Sequence, residues 1–267
     1  LVGAAGFTGI LTDDGANRES KIGANASEQV AALDGLEATV TTVVTKGEQT
    51  NRTTWQLQRR PATGNVRLQA RSAVSGPDVI VANGTYRWSY NSGNDTVRRT
   101  DASGMDAART NRGERIERLF RHATSDDERT ETPSSQTPGV SPLPAVPDPP
   151  RTTPTAPADR NTSGTYTVTY DGTSTVDGRE VHVLHVRSQN DTGQQQYSNF
   201  SQTLWVDSEW FVPLQYRTMW RENGQQTNVT VRYSNVSFNT GFVANTFQFE
   251  MPENAALVSP TIGLNAT

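Results

Sequence analysis

Turn signals recur along this chain at a spacing that suits strands better than helices. Lys46-Gly47, Gly64-Asn65, Asn83-Gly84, Gly93-Asn94, Asp171-Gly172, Asp177-Gly178 and Asn223-Gly224 punctuate it, and Val, Thr, Tyr or Trp flanks most of them. Asn-Gly and Asp-Gly pairs tolerate the positive φ that tight hairpins need, so the pattern predicts a meander of antiparallel strands. Between the turns, runs such as Thr165–Tyr170 alternate large and small side chains, as a sheet with two unlike faces requires. A long antiparallel sheet curls because its strands twist. Its concave face then needs a cover.

Two segments can supply helices. Ser27–Leu36 places Val30, Leu33 and Leu36 on one face, with Ser27 as the N-cap. Asp106–His122 carries Ile116, Leu119 and Phe120 at helical spacing, and Gly113 weakens its middle. Both are expected in the mouth of the curved sheet. On the second helix Arg109, Arg112, Arg115, Arg118 and Arg121 recur every third residue, either as a solvated face or as a contact for lipid phosphates or an acidic cell-surface layer.

Only 33% of the 267 residues are apolar, low enough that part of the chain is expected to stay outside a core. Residues 124–162, dominated by Pro, Thr, Ser and Asp, are that part, and extended or disordered conformations follow from the composition. Within it SPLPAVP (Ser141–Pro147) offers Leu143 and Val146 as contacts of a lid, against the plainer reading of a solvated loop. A formal net charge of −4 gives a nucleic-acid partner no electrostatic support.

The absence of cysteine excludes disulfides, thiol nucleophiles and Cys-based metal sites. His182 and His185, three residues apart on one strand, point to opposite faces and cannot share a metal from there. Nucleophile-elbow, Walker and zincin motifs are missing, so no catalytic residue, metal or cofactor is assigned. A glycosidase would need converging carboxylates. Asp207, Glu209 and Glu250 are the candidates, and nothing in the sequence singles them out.

Ten Asn-x-Ser/Thr sequons stand at Asn25, Asn51, Asn83, Asn94, Asn161, Asn190, Asn199, Asn228, Asn235 and Asn265. They arise either as glycan acceptors or from a Thr-rich exported surface, and both readings place the protein outside the cytoplasm. The opening LVGAAGFTGIL (Leu1–Leu11) is too short to span a bilayer. It reads as a signal or anchor remnant, as a strand that pairs with this or a neighbouring subunit, or as a disordered arm.

Three large apolar anchors and no catalytic group mark TLWVDSEWFVPLQY (Thr203–Tyr216), two strand-like runs around a turn. It is followed by VTVRYSNVSFN (Val229–Asn239) and FQFEMPENA (Phe247–Ala255), and preceded by VIVANGTYRWSY (Val79–Tyr90). In order, these runs resemble the LolA-like family of lipoprotein carriers and periplasmic lipid-binding proteins. TTWQLQRRP (Thr53–Pro61), NVRLQARS (Asn65–Ser72) and the central hairpin TYTVTYDGTSTVDGREVHVLHVRS (Thr165–Ser188) extend the likeness over roughly residues 25 to 256. The long Pro-rich centre and the lack of a lipobox cysteine depart from the pattern.

The resemblance implies a mainly β (α+β) fold: a strongly curved antiparallel sheet forming an unclosed barrel, with one or two short helices on the concave side. Residues 25–123 and 163–256 would be two parts of that half-barrel, flanked by an N-terminal segment 1–24, the loop 124–162 and a tail 257–267. The implied function is non-enzymatic binding of lipid acyl chains or lipidated proteins by an exported, archaeal member. Trp55, Leu57, Trp88, Trp205, Leu214 and Trp220 are the expected lining, with Leu143 and Val146 from the lid. The alternative is a glycosylated structural subunit of a filament or envelope layer. It would assemble as a homo-oligomer by inserting Leu1–Leu11 into a neighbour's open edge. Membrane surface or envelope proteins are further candidate partners; nucleic acid is not.

Overall fold

The computed structural model describes residues 22–72, 76–102, 112–124, 166–188 and 197–258. Helix α1 (Ala26–Ala32) precedes β1 (Leu36–Lys46) and β2 (Gln49–Arg60), and a 3-10 turn (Pro61–Thr63) leads to β3 (Asn65–Ala70). Next come β4 (Val79–Ala82), β5 (Tyr86–Asn91), β6 (Thr96–Asp101) and helix α2 (Arg112–Thr124). The C-terminal part contributes β7 (Tyr166–Val176), β8 (Arg179–Ser188), β9 (Tyr197–Asp207), β10 (Pro213–Glu222), β11 (Gln225–Phe238) and the short β12 (Ala256–Val258).

All twelve strands form one sheet in the order β12-β6-β5-β4-β3-β2-β1-β11-β10-β9-β8-β7. Pairing is antiparallel throughout except between β12 and β6. The two parts of the chain are joined where β1 pairs with β11, and the edge strands β7 and β12 do not meet, so the barrel is unclosed. This is the curved, mainly β architecture that the turn spacing and the family resemblance implied.

Six of the seven turn dipeptides lie between strands. Asp177-Gly178 and Asn223-Gly224 both have two positive φ angles, the conformation of tight hairpins. Asp171-Gly172 does not make a turn: it forms a bulge inside β7, where the register with β8 shifts between Tyr170 and Thr173. Of three further shifts, two fall at Asn199 in β9 and Asn235 in β11, and both asparagines adopt positive φ (54° and 51°). A bulge bends its strand and increases its twist, so these three sites help to coil the sheet.

Alternate residues face the concave side. Leu36, Ala38, Val40 and Thr42 of β1 share it with Trp55 and Leu57 of β2 and with Val229, Val231 and Tyr233 of β11, all buried. Leu214, Tyr216, Leu204 and Leu184 continue the same surface across β10, β9 and β8 into one apolar cluster. Helix α2 closes part of it with Ile116, Leu119 and Phe120, each essentially inaccessible, as their helical spacing predicted. The Asp106–Asn111 portion of that expected helix lies outside the described residues.

Helix α1 differs from expectation. It ends at Ala32, Asn25 rather than Ser27 is its N-cap, and Leu36 already belongs to β1, where it pairs with Arg59. An extended backbone at Leu33 (ψ 109°) breaks the helix, and Leu33 is pulled fully into the core. Gly113, expected to weaken the second helix, has a packing role. It is buried in the first described turn of α2, where a Cβ would stand 2.8 Å from the Ser27 Cα, so glycine allows the two helices to touch.

Candidate functional site

The segment around Asp207 is held by a connected set of side-chain contacts. Asp207 ends β9 at 1% exposure and binds Arg179, the first residue of β8, through Nε–Oδ2 at 2.6 Å and Nη2–Oδ1 at 3.3 Å. The same carboxylate accepts the backbone N–H groups of Glu209 and Trp210, which fixes the loop before β10. Glu209 takes a second bond from Arg179, whose guanidinium also lies 4.7 Å from the Phe238 ring centroid. The hydrogen bond donated to Asp207 raises the arginine's pKa above its ordinary value, against a smaller lowering by burial. This clasp places Phe211, at φ 51°, and Val212 inside the mouth of the half-barrel.

Phe211 meets α2 there. Its ring is edge-on to Phe120 and stacked on His182, and the Tyr170 hydroxyl lies 3.1 Å from His182 Nδ1. Burial lowers the His182 pKa, with a partly opposing pull from Glu180 and Asp207. His185, by contrast, faces outward to Thr203 and Asp171, so the two histidines do occupy opposite faces.

A cleft of about 300 Å3 opens beside this cluster, at the end of the sheet where β1 begins and β2 ends. Its apolar lining comes from Val30, Leu33, Leu36, Phe211 and Val212, while Arg59, Arg112 and Glu114 supply the charged groups. Arg59 is only 7% exposed although it carries a charge. The volume falls at the lower end of small-molecule sites, and the mix of apolar wall and few charges is the usual composition of one.

The expected lining residues are split by the sheet. Trp55, Leu57, Leu214 and Trp220 are buried on the concave face, and Trp220 stands opposite Thr227, far along the strands from the cleft. Trp205 pairs with Val183 and Gln215 on the outer face. Trp88 is also outside, where it stacks on Phe249 at 6.1 Å. Strand alternation explains both: Trp205 is one residue from the inward Leu204, and Trp88 is opposite the outward Val81. Leu143 and Val146 lie outside the described residues. Sequence reasoning missed Arg59, Phe211 and Val212 as lining, although the last two sit in the Thr203–Tyr216 run.

The carboxylate candidates do not converge. Asp207 and Glu209 share Arg179, whereas Glu250 lines a separate cleft of about 500 Å3 on the outer face, beside Arg67 and Tyr90. Among the sequons, Asn25, Asn51, Asn83, Asn94, Asn199 and Asn235 are exposed, and Asn228 is half-buried on β11 with Arg217 as donor. Several have structural work as well: Asn83 Oδ1 accepts the N–H groups of Thr85 and Tyr86, and Asn199 and Asn235 sit in bulges. Asn161, Asn190 and Asn265, like Leu1–Leu11, fall outside the described residues.

Comparison with known proteins gives a partial match in sequence. A family described as predicted periplasmic protein (DUF2092) matches residues 153–259, less than half of the chain. An uncharacterized protein of Methanocaldococcus jannaschii is 31% identical over 94 residues, which are 35% of this chain and 24% of that protein. The matched stretch thus spans about a quarter of the relative's length. Among solved structures, an uncharacterized conserved protein from Thermus thermophilus aligns over 88% of this chain and 98% of its own, at 11% identity and a TM-score of 0.45. A putative outer membrane lipoprotein-sorting protein domain from Vibrio parahaemolyticus aligns over 87% and 97% (14% identity, TM-score 0.37). A LolA superfamily protein from Nitrosomonas europaea aligns over 84% and 96% (12% identity, TM-score 0.34). The solved structures that align with this chain thus include a LolA superfamily protein and a putative lipoprotein-sorting domain, and the family matched over residues 153–259 is described as predicted periplasmic.

Proposed function

We propose that the protein is a non-enzymatic, exported carrier or sensor that holds an acyl chain of a lipid or lipidated protein in its half-barrel. The cleft between α1, α2 and the Phe211–Val212 corner carries this reading, because its apolar walls stand open at the mouth of the half-barrel. Each methylene buried in it would contribute about 0.8 kcal/mol, so a partial chain suffices for binding without polar recognition. Arg59 and Arg112 at the cleft suit an anionic or ester group at the chain's end.

Native mass spectrometry of protein from its own host, before and after organic extraction, tests the reading directly. Loss of a lipid-sized mass supports it. A fluorescent fatty acid added to extracted protein provides the second arm. Ala31→Trp, at the cleft wall, should weaken its binding by about tenfold or more without loss of the fold. Binding unchanged in that variant would move the ligand elsewhere, and no binding in either arm would end the carrier reading.

The open sheet favours a second reading, a glycosylated envelope or filament subunit. β7 is an eleven-residue edge strand with exposed, largely polar alternate positions, and an edge of that length can accept a strand from a neighbour. Deleting Leu1–Leu11 separates the two: assembly would fail under the structural reading, and lipid binding would survive under the carrier reading.

A further inference from the structure

The outer cleft lies beneath the segment that links β11 to β12. That segment crosses the convex face of the sheet and is pinned at both ends. Near its start Arg60 donates to the Phe242 carbonyl at 2.7 Å and lies 6.0 and 5.5 Å from the Phe242 and Phe247 ring centroids. Farther on, Phe249 stacks on Trp88, and the Ala256 N–H bonds to the Asp95 carbonyl at 2.8 Å. Between these anchors the segment stands away from β2, β3 and β5 and leaves a space of about 500 Å3.

The lining of that space is the reverse of the inner cleft. Gln58, Asn245 and Gln248 contribute three side-chain amides, Glu250 a carboxylate and Arg67 a guanidinium. Arg67 reaches the carbonyls of Thr246 and Gln248 only at 3.4 and 3.5 Å, which leaves its stronger donor capacity available. Tyr90 has committed its O–H to Asp95 at 3.0 Å, a bond that raises the phenol pKa and leaves its oxygen an acceptor. The Phe249 ring adds an apolar wall, backed by Trp88.

We propose that this outer cleft is a binding site for an uncharged saccharide. Sugar hydroxyls both donate and accept, and side-chain amides do the same, so three amides with a carboxylate and a guanidinium satisfy a polyol in either direction. One positive and one negative group leave no net charge to select a polyanion. The aromatic wall matches the apolar C–H face of a pyranose. An extended peptide fits less well, because strand addition needs a free sheet edge, and β2, β3 and β5 are paired on both sides. The inference is independent of the acyl-binding reading, since the two clefts open on opposite faces of the sheet.

Titration of isotope-labelled full-length protein with maltose, cellobiose, mannobiose and N,N′-diacetylchitobiose, followed by NMR, is the test. The side-chain NH2 signals of Gln58, Asn245 and Gln248 should shift saturably with at least one of these sugars. The double variant Gln58→Ala/Gln248→Ala should weaken that binding by about tenfold or more, from two lost hydrogen-bonding groups, while leaving fatty-acid binding at the inner cleft unchanged. A reporter protein carrying the same sugar as an N-linked glycan distinguishes a free saccharide from a protein-borne one. Absence of a saturable shift with every sugar overturns the proposal. So does undiminished binding in the double variant, preference for a uronic-acid disaccharide over all neutral ones, or shifts produced only by an unglycosylated peptide.

Discussion

Two covers lie on the two faces of one sheet, and they are held by different forces. On the concave side α2 packs Ile116, Leu119 and Phe120 into the core, so its attachment is apolar and cooperative with folding. On the convex side the segment from Asn239 to Ala255 has no regular structure across most of its length. It is held by discrete contacts: the Arg60 guanidinium between two phenylalanines, the Phe249–Trp88 stack and a few carbonyl bonds. The inner cover is expected to fail only with the whole fold. The outer one should loosen alone, because each of its anchors can be removed without opening the core.

Removing the central inner contact should have the largest effect. Phe120→Ala leaves a cavity against Phe211 and His182 and should cost about 3–5 kcal/mol, read as a lower chemical-denaturation midpoint for the whole protein. Asp207→Ala should come next, at about 3 kcal/mol, since it strips a buried carboxylate from Arg179 and from two backbone N–H groups. Gly113→Ala pushes a methyl group toward the Ser27 Cα and should cost about 1–3 kcal/mol. If it proves neutral, the close approach of α1 and α2 is softer than described.

The outer cover gives smaller effects. Arg60→Ala should cost about 1 kcal/mol and make the 239–255 segment an early site of limited proteolysis, with global unfolding hardly changed. Equal losses in proteolytic and global stability would show that the two covers are coupled after all.

Acid provides the last comparison. His182 has a folded pKa below its ordinary value of 6.5, so the unfolded chain takes the proton first. Its neutral-state contribution is fully present above that pH and is lost as the pH falls through the depressed folded value. Stability should therefore decline below about pH 6.5, and His182→Gln should flatten that part of the profile. His122, also lowered by burial and by Arg121 and Arg118, adds a decline of the same sign that the variant leaves in place.

Local chemistry wrote much of this fold into the chain. Asp177-Gly178 and Asn223-Gly224 accept positive φ, and Trp55 of β2 and the apolar side of α2 face the core, so hairpins and these two core faces were legible. Both are short-range effects: a turn depends on adjacent dihedrals, and a face depends on a period of two or of 3.6. The candidate sites were less legible. Which face a given tryptophan takes depends on register, and a single bulge or a one-residue offset reverses it, as Trp88 and Trp205 illustrate. Asn199 and Asn235 carried a sequon signal that hid their second role in bending strands.

By itself, then, the sequence determined an antiparallel, mainly β chain with an apolar helix for its concave side. Tertiary structure alone decided that β1 joins β11, that Arg59 meets Phe211 and Val212 at one cleft, and that Gln58 meets Gln248 at another. Those partners are separated by some 150 residues or more in the chain. No local pattern can encode such a meeting, because it depends on the accumulated twist and register of every strand between them.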